Sequence, residues 1–149
     1  MTKVRRPSGQ TVVGDLTRDL YEAAAAVRSV GEMLAQTAGQ TLARWQILYL
    51  LAQEPQTVPS VARRLGLARQ NVQRVVDELL DAKLVQQTEN PEHKKSSLHS
   101  LTADGSVLLE RINVGAGRWH QKVLRKFTVD EIRQGREFLK ALALLATSE

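Results

Sequence analysis

Gly66 divides two short amphipathic segments, and their spacing leaves few folds open to this chain. Upstream of it, the small residue Ala62 suits a point where two helices cross closely. Four residues later Gly66 supplies the turn, because glycine takes positive φ without a steric penalty. Val72 then begins an apolar stripe continued by Val75, Val76 and Leu79, which fits one face of a 3.6-residue helix. The pattern predicts a helix-turn-helix. The opposite face of its second helix carries Arg69, Gln70, Gln73 and Arg74, all donors able to reach base edges or phosphates. Asn71 sits beside the stripe, where it either joins that face or bonds the backbone. From Val61 to Val76 there are four arginines and no acid. Such a face fits double-stranded DNA as partner.

The flanking sequence extends this reading. Leu16, Leu20, Ala23, Val27, Val30 and Leu34 recur at spacings of three and four, which predicts a long helix from about Asp15 to Thr37. Residues 1–11 are polar, with Pro7 and Gly9, and are expected to form a disordered arm. Its Lys3, Arg5 and Arg6 either touch a DNA backbone or belong to a loose terminus. Thr41 caps a helix from Leu42 to about Gln53, which Pro55 stops. Thr57 caps the next helix, with Pro59 tolerated in its first turn. The helix after the turn is expected over 68–82. The period then changes to short extended segments at 84–89 and 96–101, separated by a turn at 90–95. A helix-turn-helix followed by such a hairpin is a winged helix. Thr102 caps a fifth helix with the stripe Leu108, Ile112, Ala116, Trp119 and Val123. Thr128-Val-Asp-Glu131 is a capping box for a sixth helix, lined by Ile132, Leu139, Leu142 and Leu145. The expected class is all-α with a small β-hairpin wing. The winged helix would occupy 41–101 of a single domain over 12–149. Helices at 12–40 and 102–149 hold more apolar surface than that core needs, so they are expected to build a homodimer. A two-fold protein suits a palindromic operator with half-sites about one DNA turn apart.

Composition excludes several classes. The chain of 149 residues is 42% hydrophobic but only 4% aromatic, so its core is mostly Leu, Val and Ala. There is no cysteine, which removes disulfides, thiolate nucleophiles and Cys-ligated zinc. His93, His99 and His120 form no metal-binding pair at helical spacing, so neither a metal nor another cofactor is expected. No Ser-His-Asp set or Gly-rich phosphate loop recommends an enzyme. No stretch approaches the ~20 apolar residues of a membrane span. The basic start lacks an apolar segment behind it, so a cytoplasmic protein is expected. The net charge of +5 favours an anionic partner mainly because the arginines crowd onto one segment.

Four stretches together resemble the MarR family, the multiple-antibiotic-resistance type of bacterial transcriptional regulator. They are 41–51, Val61-Ala-Arg-Arg-Leu-Gly-Leu67, Val72-Gln-Arg-Val-Val-Asp-Glu-Leu-Leu80 with its exit Ala82-Lys-Leu-Val85, and Leu101-Thr-Ala-Asp-Gly105. The resemblance covers about 15–145. It implies a homodimeric winged helix on palindromic DNA, often released by small aromatic or phenolic ligands held where the dimerisation helices meet the winged domain. Two positions depart from the pattern. Ala68 stands where the family often has a serine that caps the recognition helix. In the wing, His93 and Lys95 stand where an aspartate and an arginine are usual, and lysine offers a point charge instead of a planar fork.

The candidate DNA-binding residues are therefore Arg63, Arg64, Arg69, Gln70, Asn71, Gln73, Arg74, His93, Lys94 and Lys95. Spacing alone does not choose between Arg63 and Arg64. Trp45, Tyr49, Trp119 and His120 fall on elements that flank the family's ligand cleft. An aromatic on an apolar helix face is more often a core side chain, Trp45 most of all, and a surface position is the stronger reading of His120. The leading function is a ligand-responsive repressor. The alternatives are a constitutive or architectural DNA binder without effector, and a winged helix used for protein contacts.

Overall fold

The computed structural model describes residues 8–148. They form six helices and one two-stranded sheet, in the order α1 (Gly9–Gln36), α2 (Leu42–Leu51), α3 (Val58–Leu65), α4 (Arg69–Asp81), β1 (Val85–Thr88), β2 (Leu98–Leu101), α5 (Ala103–Lys126) and α6 (Val129–Ala146). The chain divides into two compact units, Met1–Ile112 and Asn113–Glu149.

The first helix starts earlier than its sequence suggests. The expected arm over 1–11 is corrected at its end, because α1 already runs from Gly9. Ser8 is the reason. Its hydroxyl accepts the Thr11 N–H at 3.3 Å, which caps the helix despite two early glycines. Lys3, Arg5 and Arg6 lie outside the described residues. Where α1 meets α2, the Glu32 carboxylate accepts the Leu42 N–H at 3.0 Å. A negative group at that N-terminus also suits the helix dipole.

The core of the first unit gathers α2, α3, α4, β1 and the start of α5. Ile47, Leu48, Val61, Val72, Val76, Leu79 and Ile112 are its most deeply buried large side chains. The valine stripe of α4 is thus turned fully inward. Gly66 ends α3 in the left-handed region at φ 64°, and the Leu67 N–H returns to the Ala62 carbonyl at 3.0 Å. This geometry is the turn of the helix-turn-helix.

The hairpin is antiparallel, with Val85 opposite Leu101 and Gln87 opposite His99. Both strands are shorter than the extended segments expected from the sequence. On its other edge His99 exchanges backbone hydrogen bonds with Gln56, at 2.8 and 3.0 Å, so the loop between α2 and α3 joins the sheet. The root of the hairpin is tied to α5. The Thr102 N–H donates to the Leu84 carbonyl at 3.1 Å, and the Thr102 hydroxyl donates to the Lys83 carbonyl at 2.7 Å. The same hydroxyl caps α5 by accepting the Gly105 N–H at 3.1 Å. A Cβ at Gly105 would lie 2.0 Å from the Leu84 carbonyl oxygen, so no larger residue fits. The stretch Leu101-Thr-Ala-Asp-Gly105 is therefore the joint between wing and helix.

In the second unit α6 begins with the capping box read from the sequence. Thr128 accepts the Glu131 N–H at 3.2 Å, and the Glu131 carboxylate accepts the Thr128 N–H at 2.8 Å. The Thr128 N–H and then its hydroxyl, both donating to the Glu131 carboxylate, hold that carboxyl below its ordinary range. Among the described residues, no helix is long and apolar enough to cross a membrane.

Candidate nucleic-acid interface

With its valines buried, α4 turns Arg69, Gln70, Gln73 and Arg74 to solvent. Asn71 is exposed as well, and its backbone N–H donates to the Ala68 carbonyl at 3.0 Å. Helical geometry splits the outward residues into two rows. Arg69 and Gln73 form the row that faces the wing, and Asp77 continues it. Gln70 and Arg74 form the outer row, continued by Glu78. Each row ends in an acid that holds the residue one turn before it. Gln73 Nε2 donates to Asp77 Oδ1 at 2.8 Å, and Arg74 donates to Glu78. The acid-free window read from the sequence stops one residue short of these partners.

The Arg74–Glu78 pair is exposed, so it is weak and open to exchange for phosphate. The two arginines of α3 are now distinct. Arg64 donates to Gln53 Oε1 at 3.1 Å and lies 3.9 Å from Glu54, which draws it back toward the α2–α3 loop. Arg63 is exposed on the last turn of α3.

His93, Lys94 and Lys95 are exposed in the loop between β1 and β2. That loop is shaped locally. The buried Asn90 accepts the Glu92 N–H on its side-chain oxygen at 3.0 Å, and the Ser96 N–H donates to the His93 carbonyl at 2.9 Å. Lys95 returns to the body of the unit. It lines a cavity of about 320 Å³ together with Val58, Pro59, Arg69, Gln73, Gln87, Ser96, Ser97 and His99. The structure thus brings Arg69, Gln73 and Lys95 around one polar hollow between α4 and the wing. His93 and Lys94 do not line it.

His99 is the residue that sequence reasoning missed. It is only 5% exposed, and its Nδ1 has no hydrogen-bond partner among the described residues. Burial pushes its pKa below the ordinary value, against smaller opposing effects from the Gln56 backbone and the Asp77 charge. The alternation of β2 held a signal, because His99 shares a strand face with Leu101. Gln56 is buried too. Its Nε2 donates to the Leu50 carbonyl at 3.2 Å and its Oε1 accepts the Ser60 hydroxyl at 3.1 Å.

A sequence profile described as the MarR family matches residues 38–96, which span α2, the helix-turn-helix and most of the wing. An uncharacterized protein of Mycobacterium tuberculosis is 41% identical over 100 residues, covering 67% of this chain and 70% of the relative. The chain belongs to the MarR family. Among solved structures, a mutant Escherichia coli MarR in complex with operator DNA superposes with a TM-score of 0.70 at 20% identity, covering 91% of this chain and 99% of that one. A Mycobacterium tuberculosis MarR family protein in complex with p-aminosalicylic acid gives a TM-score of 0.67 at 26% identity, covering 85% of this chain and 97% of that one. These likenesses carry the winged-helix fold.

Within the MarR family pattern, both departures persist in three dimensions. Ala68 occupies the N-cap of α4 and makes no side-chain capping bond. Lys95 lies with the cavity, and no carboxylate lines that hollow. The residues expected near the family's ligand cleft divide between the units. Trp45 packs on the core of the first unit, while Tyr49 is 53% exposed on the same helix. Trp119 is half-buried and His120 exposed, both in the second unit.

Proposed function

We propose that this MarR family member is a sequence-specific DNA-binding transcriptional regulator that acts as a homodimer on palindromic duplex DNA. One observation carries the reading: α4 buries its valines and presents Arg69, Gln70, Gln73 and Arg74 outward. In this reading α4 lies in the major groove. Both rows reach base edges, and the inner row also works with the wing. Arg63 meets phosphate more readily than Arg64, which already has partners. His93, Lys94 and Lys95 contact the backbone beside the groove, and Asn71 supports the start of the helix. The site is a binding surface and not an enzyme's. A regulator of this kind acts in the cytoplasm, where bacterial operators lie.

The finer proposal is a repressor released by a small aromatic ligand. The neighbour crystallised with p-aminosalicylic acid supports it. Trp45 and Tyr49 in the first unit, and separately Trp119 and His120 in the second, are the side chains proposed as candidates to meet such a ligand. Dimerisation is supported by apolar side chains left exposed on α1 (Val12, Val13) and on α6 (Val129, Leu139, Leu144, Leu145).

Fluorescence anisotropy with duplexes selected from a random library tests the whole reading. Affinity should fall steeply with salt, as counterion release requires. Arg74→Ala or Gln70→Ala should weaken specific binding by roughly 1–3 kcal/mol while the protein stays folded. Unchanged affinity in both variants would remove α4 as the reading element. Titrating p-aminosalicylate into the complex then separates a ligand-released repressor from a constitutive binder, which would hold its DNA.

A further inference from the structure

The Gln73 side chain is tied down on the outward face of α4. Its Nε2 donates to Asp77 Oδ1 at 2.8 Å, one helical turn away. A carboxylate can only accept, so the amide nitrogen, and not its oxygen, must face Asp77. A hydrogen bond to an ionised acceptor at this distance is stronger than a neutral one. One of the two amide hydrogens is therefore committed within the protein. What remains for a partner is one acceptor, Oε1, and one N–H donor.

That remainder discriminates between purines. In the major groove adenine offers a donor at N6 and an acceptor at N7, which match Oε1 and the second N–H. Guanine offers two acceptors, O6 and N7, and would need both amide hydrogens. An amide with one hydrogen already spent satisfies adenine and leaves guanine one donor short.

We propose that Asp77 is a specificity-determining positioning residue, which orients the Gln73 amide so that α4 accepts adenine and rejects guanine at the base pair Gln73 reaches. The inference rests on the DNA-reading function above. Asp77 acts through Gln73. Its charge also repels phosphate, so its removal raises affinity for every duplex. Overall affinity is thus the wrong measurement, and base preference is the right one.

The experiment selects duplexes from a random library with the full-length protein, Asp77→Ala, Asp77→Asn, Gln73→Ala and Gln73→Ala/Asp77→Ala. Thermal unfolding of each variant confirms that it is folded. The native protein should enrich adenine over guanine about tenfold or more at one position per half-site, the yield of a bidentate contact. Asp77→Ala should bring that preference below about threefold. Asp77→Asn loses the charge and can donate as well as accept, so it no longer fixes which end of the Gln73 amide faces the base, and it should lower the preference too. Gln73→Ala should abolish it, and adding Asp77→Ala should change nothing further at that position. A preference that survives in Asp77→Ala, or one that persists in Gln73→Ala, overturns the role of Asp77 while leaving DNA reading intact. A native protein that enriches no motif at all overturns the DNA-reading function and this role with it.

Discussion

An alanine at residue 105 would set its Cβ 2.0 Å from the Leu84 carbonyl oxygen, far inside van der Waals contact. Backbone must then move, at the point where the wing leaves α4 and α5 begins. Gly105→Ala should destabilise the protein by roughly 1–3 kcal/mol, the usual cost of overpacking. A lower urea midpoint at unchanged slope is the expected result, and an unchanged midpoint would show that the joint is soft. At this scale the sequence was readable where a residue type has one physical use. Gly66 could be placed at a left-handed turn from its spacing alone. Arg63 and Arg64 could not be told apart, because their distinction depends on Gln53 and Glu54 across a loop. Nor did the spacing show that Gln73 and Arg74 are each held by the acid one turn on.

Elements were legible where their ends carry caps. Thr41, Thr57 and Thr128 each accept an N–H three residues ahead, as their position before an apolar run suggests. The start of α1 was misread because Gly9 and Gly14 lower helix propensity, while the Ser8 cap offsets part of that loss. Helix α4 lacks a side-chain cap altogether. Ala68→Ser should supply one and raise stability by about 1 kcal/mol, seen as a higher denaturant midpoint. The wing carries a pH dependence through His99. Burial lowers its pKa, with Asp77 opposing, while Arg69 and Lys95 share the hollow it lines. The folded state therefore binds fewer protons than the unfolded chain, so stability rises with pH. The contribution is complete above the ordinary histidine value. It declines as pH falls from there toward the lowered native value, by up to about 1.4 kcal/mol per pH unit. Urea midpoints between pH 7.5 and 5 should show this loss, and His99→Gln should flatten it. Equal slopes in both proteins would mean that His99 is solvated in solution.

For the whole molecule, helical spacing indicated an apolar face on α6, and the structure leaves Leu144 70% and Leu145 68% exposed. Periodicity says which face is apolar but not what covers it, so the arrangement of the two units was not readable from the chain. A second copy is the proposed cover. Sedimentation equilibrium at micromolar concentration should give twice the 16.6 kDa chain mass. Leu139→Glu should shift the protein toward monomer. A native chain that sediments as a monomer would exclude two-fold operator binding.

The joint built by Thr102 has a mechanical meaning on such a duplex. It clamps the root of the wing to the exit of α4, while His99 and Gln56 hold the other edge of the hairpin. The gap between the outward rows of α4 and the wing loop is then fixed like the jaws of a caliper. A duplex whose local groove spacing differs from that gap must itself deform to be held. Selectivity would thus extend to the stiffness of steps that no side chain touches, with the protein as the gauge and the DNA as the spring.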